Sequence, residues 1–355
     1  MKISEVIKSL SASNAAIKNT ASSEPKEGWY PAYSASGQDV WLPDCRFTQK
    51  GIVVSAVGAR CGKAFKADGK WNICANTHPL SVDETKALRD YCWYMINNED
   101  WWIKGGTAQP FVKVKDSFNR DFIFPPISEQ KMIVSRLDTI QALINQKQLQ
   151  IKRLDELVKA RFVEMFKGKY NSFKVDEKLK TTSGGTPKSS VSEYYDGGDI
   201  PWLTSGEVNY GDITKSSNYI TEKGLNNSSA KWVPENSIVI AMYGATAGKV
   251  GIVRYKTTTN QAVCSVLPND NFNQEFLRYA FQDISEELTS KAIGGGQPNI
   301  SQTIIKNSYI VDAPIEEQER FASFAKQVDK SKFAVQKSLE KTQLLFDSLM
   351  QEYFD

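Results

Sequence analysis

The sequence predicts an α+β fold with a pseudo-twofold internal repeat: two globular domains of mixed strands and helices, separated by two long antiparallel coiled-coil helices. Three observations carry this reading. Motifs recur in the same order at a nearly constant separation. Short apolar runs bounded by Gly, Asn, Asp and Pro occupy the first part of each half. Each half then closes on a long helical pattern that contains no Gly or Pro before its end.

The repeat is read from its punctuation. Pro125-Pro126-Ile127-Ser128-Glu129-Gln130 matches Ala313-Pro314-Ile315-Glu316-Glu317-Gln318 at an offset of 188, as do Gln109-Pro110 with Gln297-Pro298 and Glu164-Met165-Phe166 with Glu352-Tyr353-Phe354. Gly58-x-x-x-Gly62-Lys63 matches Gly244-x-x-x-Gly248-Lys249 at 186, Asn76 and Ser81-Val82 match Asn260 and Ser265-Val266 at 184, and Pro31 matches Pro201 at 170. Offsets that drift but keep their order are what loop insertions between equivalent strands produce. The runs 51–57 and 237–242 read as buried strands, and 86–96 and 274–281 as short helices. Residues 128–167 and 316–354 read as long helices. The resulting organisation is a first globular domain over 1–127, a spacer helix over 128–168, a second globular domain over 169–314 and a second spacer helix over 315–355.

In the first long helix Ile133, Leu137, Ile140, Ile144, Ile151, Leu154, Val158 and Met165 follow a 4-3 alternation interrupted by Lys147 and Arg161. The second repeats it with Phe321, Ala325, Val328, Val335, Leu339, Phe346, Leu349 and Tyr353, interrupted by Lys332 and Thr342. A helix of ~40 residues is roughly 60 Å long, more than a domain of this size can bury. The two are therefore expected to pack antiparallel as a rod with a globule at each end; the alternative is that each folds back on its own globule.

Composition removes several classes of function. With His78 the only histidine, and five cysteines that show no C-x-x-C spacing, the chain lacks the residues for a zinc ribbon, a disulfide scaffold or a histidine-based triad. Free thiols fit a reducing cytoplasm, and no run of 18 apolar residues suggests a membrane span. Net charge is +3, and residues 1–127 and 169–314 are each close to neutral, so any DNA contact relies on local charge or on partners. Gly58-x-x-x-Gly62-Lys63 and its repeat are not phosphate loops. One residue is missing between the glycines, no Ser or Thr follows the lysine, and the sequence continues as strand. They read as β-turn crossings with a small Gly-rich surface that allows close backbone approach to a large ligand, with Lys63 and Lys249 reaching a phosphate; the alternative is a plain hairpin with a solvent-exposed lysine. Trp101-Trp102 reads as packing rather than a base-stacking platform, and the acidic pairs as helix starts or solvated faces. No catalytic site and no metal site emerge.

The run Gly197-Gly198-Asp199-Ile200-Pro201-Trp202-Leu203-Thr204-Ser205-Gly206, the loop Tyr243-Gly244-Ala245-Thr246-Ala247-Gly248-Lys249 and the stretch Gly295-Gly296-Gln297-Pro298-Asn299-Ile300-Ser301 resemble the specificity subunits of type I restriction–modification systems, as do the two Pro-Ile-x-Glu-Gln helix openings. The resemblance covers the whole chain and is closer in the second half; the first half lacks Gly-Gly-Thr-Pro and carries Arg60-Cys61 where the second has Thr246-Ala247. It implies a non-catalytic subunit whose two target-recognition domains each read half of a bipartite, asymmetric site in double-stranded DNA. It also implies two methyltransferase subunits that bring S-adenosylmethionine, and restriction subunits that bring ATP and magnesium chemistry; this chain itself would bind no cofactor. The candidate DNA-binding residues are Ser34, Ser36, Arg60, Lys63 and Gln109 in the first half. Those in the second are Thr204, Ser205, Tyr243, Thr246, Lys249, Gln297 and Asn299. The alternative from another class is a two-headed protein-binding adaptor with no DNA role.

Overall fold

The computed structural model describes residues 1–13, 15–291 and 299–354. The chain divides into two compact units, one of Met1–Gln148 with Lys337–Asp355 and one of Leu149–Gln336. The division falls inside both long helices, so the helical segments belong to the cores of the units rather than to separate spacer domains.

In the first unit Gly51–Ser55 lies between two antiparallel neighbours, Thr77–Val82 and Ala64–Ala67, and Ile7–Ser9 completes a four-stranded sheet beyond Thr77–Val82. The strand Gly-Ile-Val-Val-Ser is buried on both faces, which is why it reads as an uninterrupted apolar run. Ile52 and Val54 face Cys92, Met95 and Ile96 of the helix Arg89–Ile96, together with Trp102 and Phe118. Val53 points the other way, onto Tyr33, Trp71 and Ile73 under a three-stranded sheet of Gly37–Leu42, Tyr30–Ser34 and Asn72–Ile73.

The second unit repeats this plan. Ile238–Ala241 lies between Val263–Val266 and Val250–Val253, with Thr181–Ser183 and Gly211–Ile213 as the outer strands. Ile238 and Ile240 face Phe276, Leu277, Ala280 and Phe281 of the helix Gln274–Asp283. Val239 and Ala241 face Leu203, Val208, Ile213 and Val233. A second sheet orders Tyr219–Ile220, Ile200–Leu203, Thr257–Thr259 and Trp232–Val233.

The duplication extends to the register of the ladders. Ile52 pairs with Leu80 and Ser55 with Thr77, as Ile238 pairs with Val266 and Ala241 with Val263. The parallel pair Ala32–Asn72 has its counterpart in Trp202–Thr258. One sequence match is corrected. Asn76 and Ser81-Val82 are not the counterparts of Asn260 and Ser265-Val266, because Leu80 occupies the place of Val266 and Asn76 that of Ala262. A slip of two residues keeps every side chain on its own face of a strand, so the hydrophobic pattern does not reveal it.

The long helices run Ile127–Phe166 and Ile315–Phe354. Gly168, at φ 73°, ends the first in the left-handed conformation expected of a helix stop. Within the first unit the start of one helix meets the end of the other: Ile133 and Leu137 pack with Phe346, Leu349, Met350 and Tyr353 beside Tyr91 and Tyr94. Within the second unit Val158, Phe162, Met165 and Phe166 share a core with Phe321, Ala325 and Val328. The helices are antiparallel in each unit, and they pack both on one another and on the globular part. The lysines that interrupt the heptads bond across the seam, Lys147 Nζ to Ser338 Oγ at 2.8 Å and Lys332 Nζ to Asp155 at 2.5 Å.

The Pro-Ile-x-Glu-Gln openings perform one task in both copies. Gln130 is fully buried; its Oε1 accepts from the Leu88 N–H at 2.8 Å, and its Nε2 donates to the Pro125 carbonyl at 2.8 Å. Gln318 accepts from the Asn273 N–H at 2.9 Å and donates to the Ala313 carbonyl at 2.8 Å. Leu88 and Asn273 are the residues that precede the short helices of the two units. Each glutamine thus fastens a long helix to the head of a short one, its buried amide pairing with one backbone N–H ahead of the short helix and one backbone carbonyl ahead of its own, groups that a helix end would otherwise leave without a partner. Gln130→Ala and Gln318→Ala are each expected to lower unfolding stability by about 2 kcal/mol in urea titrations, the cost of leaving such groups unpaired.

Candidate nucleic-acid interface

Two hairpin loops of the same backbone geometry occupy equivalent ends of the two sheets. In the first, the Ser55 N–H donates to the Lys63 carbonyl and the Gly62 N–H to the Ser55 carbonyl, both at 2.8 Å. In the second, the Ala241 N–H donates to Lys249 at 3.0 Å and the Gly248 N–H to Ala241 at 2.9 Å. Gly58 and Gly62 hold φ of 100° and 99°, and Gly244 and Gly248 hold 78° and 83°. These positive values explain the Gly-x-x-x-Gly spacing. Both loops join antiparallel strands, as their sequence continuing as strand implied. Arg60 is exposed, and Lys63 and Lys249 are half-buried; among the described residues none of these three side chains forms an ion pair or hydrogen bond.

In the second unit the structure brings most of the predicted residues together. Thr246 Oγ1 donates to the Ser205 carbonyl at 2.7 Å, which ties the hairpin loop to the short turn Ser205–Glu207. The Ile300 N–H donates to the Met242 carbonyl at 2.9 Å, which sets the segment carrying exposed Asn299 beside Tyr243. Thr204, Ser205, Tyr243, Thr246, Lys249 and Asn299 thereby form one surface at one end of the sheet. Gln297 lies outside the described residues. In the first unit the Gly58 N–H donates to the Pro110 carbonyl at 2.9 Å and the Val112 N–H to Ala56 at 3.0 Å, so exposed Gln109 lies beside the loop of Arg60 and Lys63. Ser34 and Ser36 stand apart, on the turn of another hairpin. Ser34 is corrected from a reading residue to a turn-forming one. It is 3% exposed, and its hydroxyl accepts from Lys18 Nζ at 3.2 Å and from the Ser36 N–H at 3.1 Å.

Two glycine-rich stretches serve packing rather than presentation. A Cβ on Gly184 would lie 1.8 Å from the Thr259 carbonyl oxygen, one on Gly185 would lie 2.6 Å from Ser229, and one on Gly198 would lie 2.6 Å from Ile220. The glycines let chain segments cross in contact, and the Trp202 indole N–H donates to the Gly185 carbonyl at 3.0 Å. Trp101 and Trp102 form an edge-to-face pair inside the first unit, and the Trp102 indole donates to Ile96. His78 Nε2 lies 2.9 Å from Ser9 Oγ, and burial lowers its pKa. Among the described residues no group of His, Cys, Asp or Glu has the arrangement of a metal site.

The residue that sequence reasoning passed over is Glu207. Its carboxylate accepts from the Thr204 N–H and hydroxyl, both at 2.9 Å, from Ser216 Oγ at 3.2 Å, from the Ser217 N–H at 2.6 Å and from Asn218 Nδ2 at 2.9 Å. Burial acts to raise its pKa, but the donors, led by the Ser217 and Thr204 amides, outweigh it and hold the carboxyl below its usual range. Thr204-x-x-Glu207 is a capping box, and that spacing was the available signal. Because the folded pKa is depressed, the ionised form contributes stability above the unfolded value of 4.5, and that contribution is lost as pH falls through the folded pKa. The difference in Tm between the native chain and Glu207→Gln is therefore expected to be full above about pH 5 and to shrink on further acidification, as followed by thermal melts.

Comparison with known proteins places this geometry in a family. A family model described as type I restriction modification DNA specificity domain matches residues 1–153 and 167–344. The EcoR124I/EcoR124II specificity subunit of Escherichia coli is 22% identical over 264 residues, covering 70% of this chain and 65% of that protein. The MjaIX specificity subunit of Methanocaldococcus jannaschii is 30% identical over 155 residues, 42% of this chain and 35% of its own length. The chain thus spans less than two thirds of either. The MjaVIII specificity subunit of the same organism is 26% identical over 353 residues, 86% of this chain and 80% of that one. The fold is shared with the crystal structure of a type I restriction–modification S subunit from M. genitalium, with a TM-score of 0.59 at 14% identity over 100% of this chain and 95% of that one. The match across both copies shows that the chain belongs to the type I restriction–modification DNA specificity family.

Proposed function

We propose that this chain is the DNA sequence-specificity subunit of a type I restriction–modification complex and is itself non-catalytic. Each unit reads one half of a bipartite, asymmetric site in duplex DNA, and the complex directs adenine methylation and restriction through its partners. The observation that carries this reading is one scaffold built twice with different side chains on equivalent loops: Arg60 and Cys61 in one, Thr246 and Ala247 in the other. Two non-identical readers on one chain select an asymmetric sequence, in contrast to the palindrome selected by a true homodimer. Lys63 and Lys249 supply phosphate contacts, while Arg60, Gln109, Thr246 and Asn299 are donors and acceptors suited to base edges.

In this reading two methyltransferase subunits bring S-adenosylmethionine, and restriction subunits use ATP and magnesium. The complex works in the cytoplasm, where the five free cysteines remain reduced. No described helix is long and apolar enough to cross a membrane. The adaptor reading draws no support from a family defined by DNA specificity.

Co-expression with its methyltransferase in a host lacking that activity, followed by long-read mapping of modified adenines, is expected to yield a split, asymmetric motif that vanishes without this chain. A soluble complex that methylates nothing would contradict the reading. Lys63→Ala and Lys249→Ala are expected to weaken DNA binding by the assembled complex, to reduce the slope of log affinity against log salt by about one each, and to leave the motif unchanged. Affinity measured over a series of salt concentrations checks this.

A further inference from the structure

The two units differ most at one connection, and the inference drawn from it rests on the DNA-reading function proposed above. In the first unit the antiparallel strands Tyr30–Ser34 and Gly37–Leu42 are joined by Ala35 and Ser36 alone. In the second unit the counterpart strands keep the register, Pro201 opposite Tyr219 as Pro31 is opposite Trp41, but residues 204–218 stand between them. This insertion is an ordered loop with its own anchors. Glu207 binds Thr204 on the outgoing limb and Ser216, Ser217 and Asn218 on the returning limb, so one carboxylate closes the base. Val208 and Ile213 are buried beneath the loop. Gly211–Ile213 adds a parallel strand to Val250–Val253, and a Cβ on Gly251 would lie 2.7 Å from the Asn209 carbonyl oxygen. Thr246 fastens the loop to the hairpin that carries Lys249. Tyr210, 59% exposed, and Lys215 project from this fixed base into solvent.

A base closed at both limbs holds the exposed aromatic and the cation in one geometry, which lowers the ordering cost of meeting a partner. We propose that residues 204–218 are a specificity-determining loop peculiar to the second unit, and that Glu207 is its positioning residue. Glu207 touches no base. It fixes the two limbs so that Thr204, Ser205 and the Tyr210 tip meet the edges of one half-site together with Thr246. The first unit, with a two-residue turn at this place, reads its half-site without such an element.

The test uses the full chain co-expressed with its methyltransferase, with modified adenines mapped by sequencing and the purified complex melted in parallel. Exchange of residues 169–314 assigns one half of the motif to the second unit. Glu207→Gln is expected to blur that half at one or more positions, with about a tenfold loss of discrimination and the other half and the spacing retained. Tyr210→Ala is expected to weaken or blur the same half with Tm unchanged, since its side chain is exposed. A folded Glu207→Gln complex that methylates the native motif with native discrimination would overturn the proposal. So would equal losses at both halves. If Glu207→Gln gives no soluble complex, Tyr210→Ala and Asn218→Ala decide, and a native motif from both would overturn it. Absence of any split motif from the native chain would instead overturn the DNA-reading function itself.

Discussion

Each unit completes its core with helix drawn from a distant part of the chain. In the second unit Phe162 and Phe166 of one long helix each meet both Phe276 of the short helix and Phe321 of the other long helix, with ring centroids 4.9 to 5.8 Å apart. In the first, Tyr91 and Tyr94 of the short helix meet Phe354 and Phe346, more than 250 residues along the chain. Removing the terminal helix would therefore uncover aromatic surface in both units, and buried aromatics carry the largest share of packing stability per residue. The heptad seam depends on the same constraint. Its apolar positions face a partner helix within each unit, and Lys147 and Lys332 bond to polar side chains across the seam.

On this frame the two copies keep geometry and change chemistry. Ladder register, hairpin hydrogen bonds and buried glutamines are shared, whereas loop side chains are not. One ion pair is even reversed. Arg89 at the start of the first short helix pairs with Asp68 in the turn after Ala64–Ala67. In the second unit Arg254, in the turn after Val250–Val253, pairs with Glu275 at the start of the short helix. The contact between turn and helix persists with its sign inverted, so the same place in the fold accepts the cation on either side. Such tolerance suits a reader, because the loops can vary while the layers beneath them stay fixed.

Much of this was legible from residue order. The long helices begin and end within one residue of their expected limits, because the prolines and Gly168 act locally on the backbone. The strand 51–55 and its counterpart were readable as continuous apolar runs. The two-residue slip at Ser81 was not, since alternation is blind to it. Gly184 and Gly198 resemble loop glycines in sequence, and only the tertiary neighbours Thr259 and Ile220 reveal them as packing positions. Ser34 appeared available because burial of a small polar residue leaves no mark on the pattern. Thr246, Ser205 and Tyr243 were correctly grouped in loops, but their joining depends on a hydrogen bond across 41 positions. Glu207 was visible as the end of a capping box, although its hold on Ser217 and Asn218 was not.

The central claim is that each unit reads its own half of a DNA site. Its most direct test replaces residues 169–314 with the corresponding segment of another family member and maps the modified adenines of the resulting complex. The account predicts that one half of the motif changes completely while the other half is preserved. A motif that changes in both halves, or in neither, would contradict it.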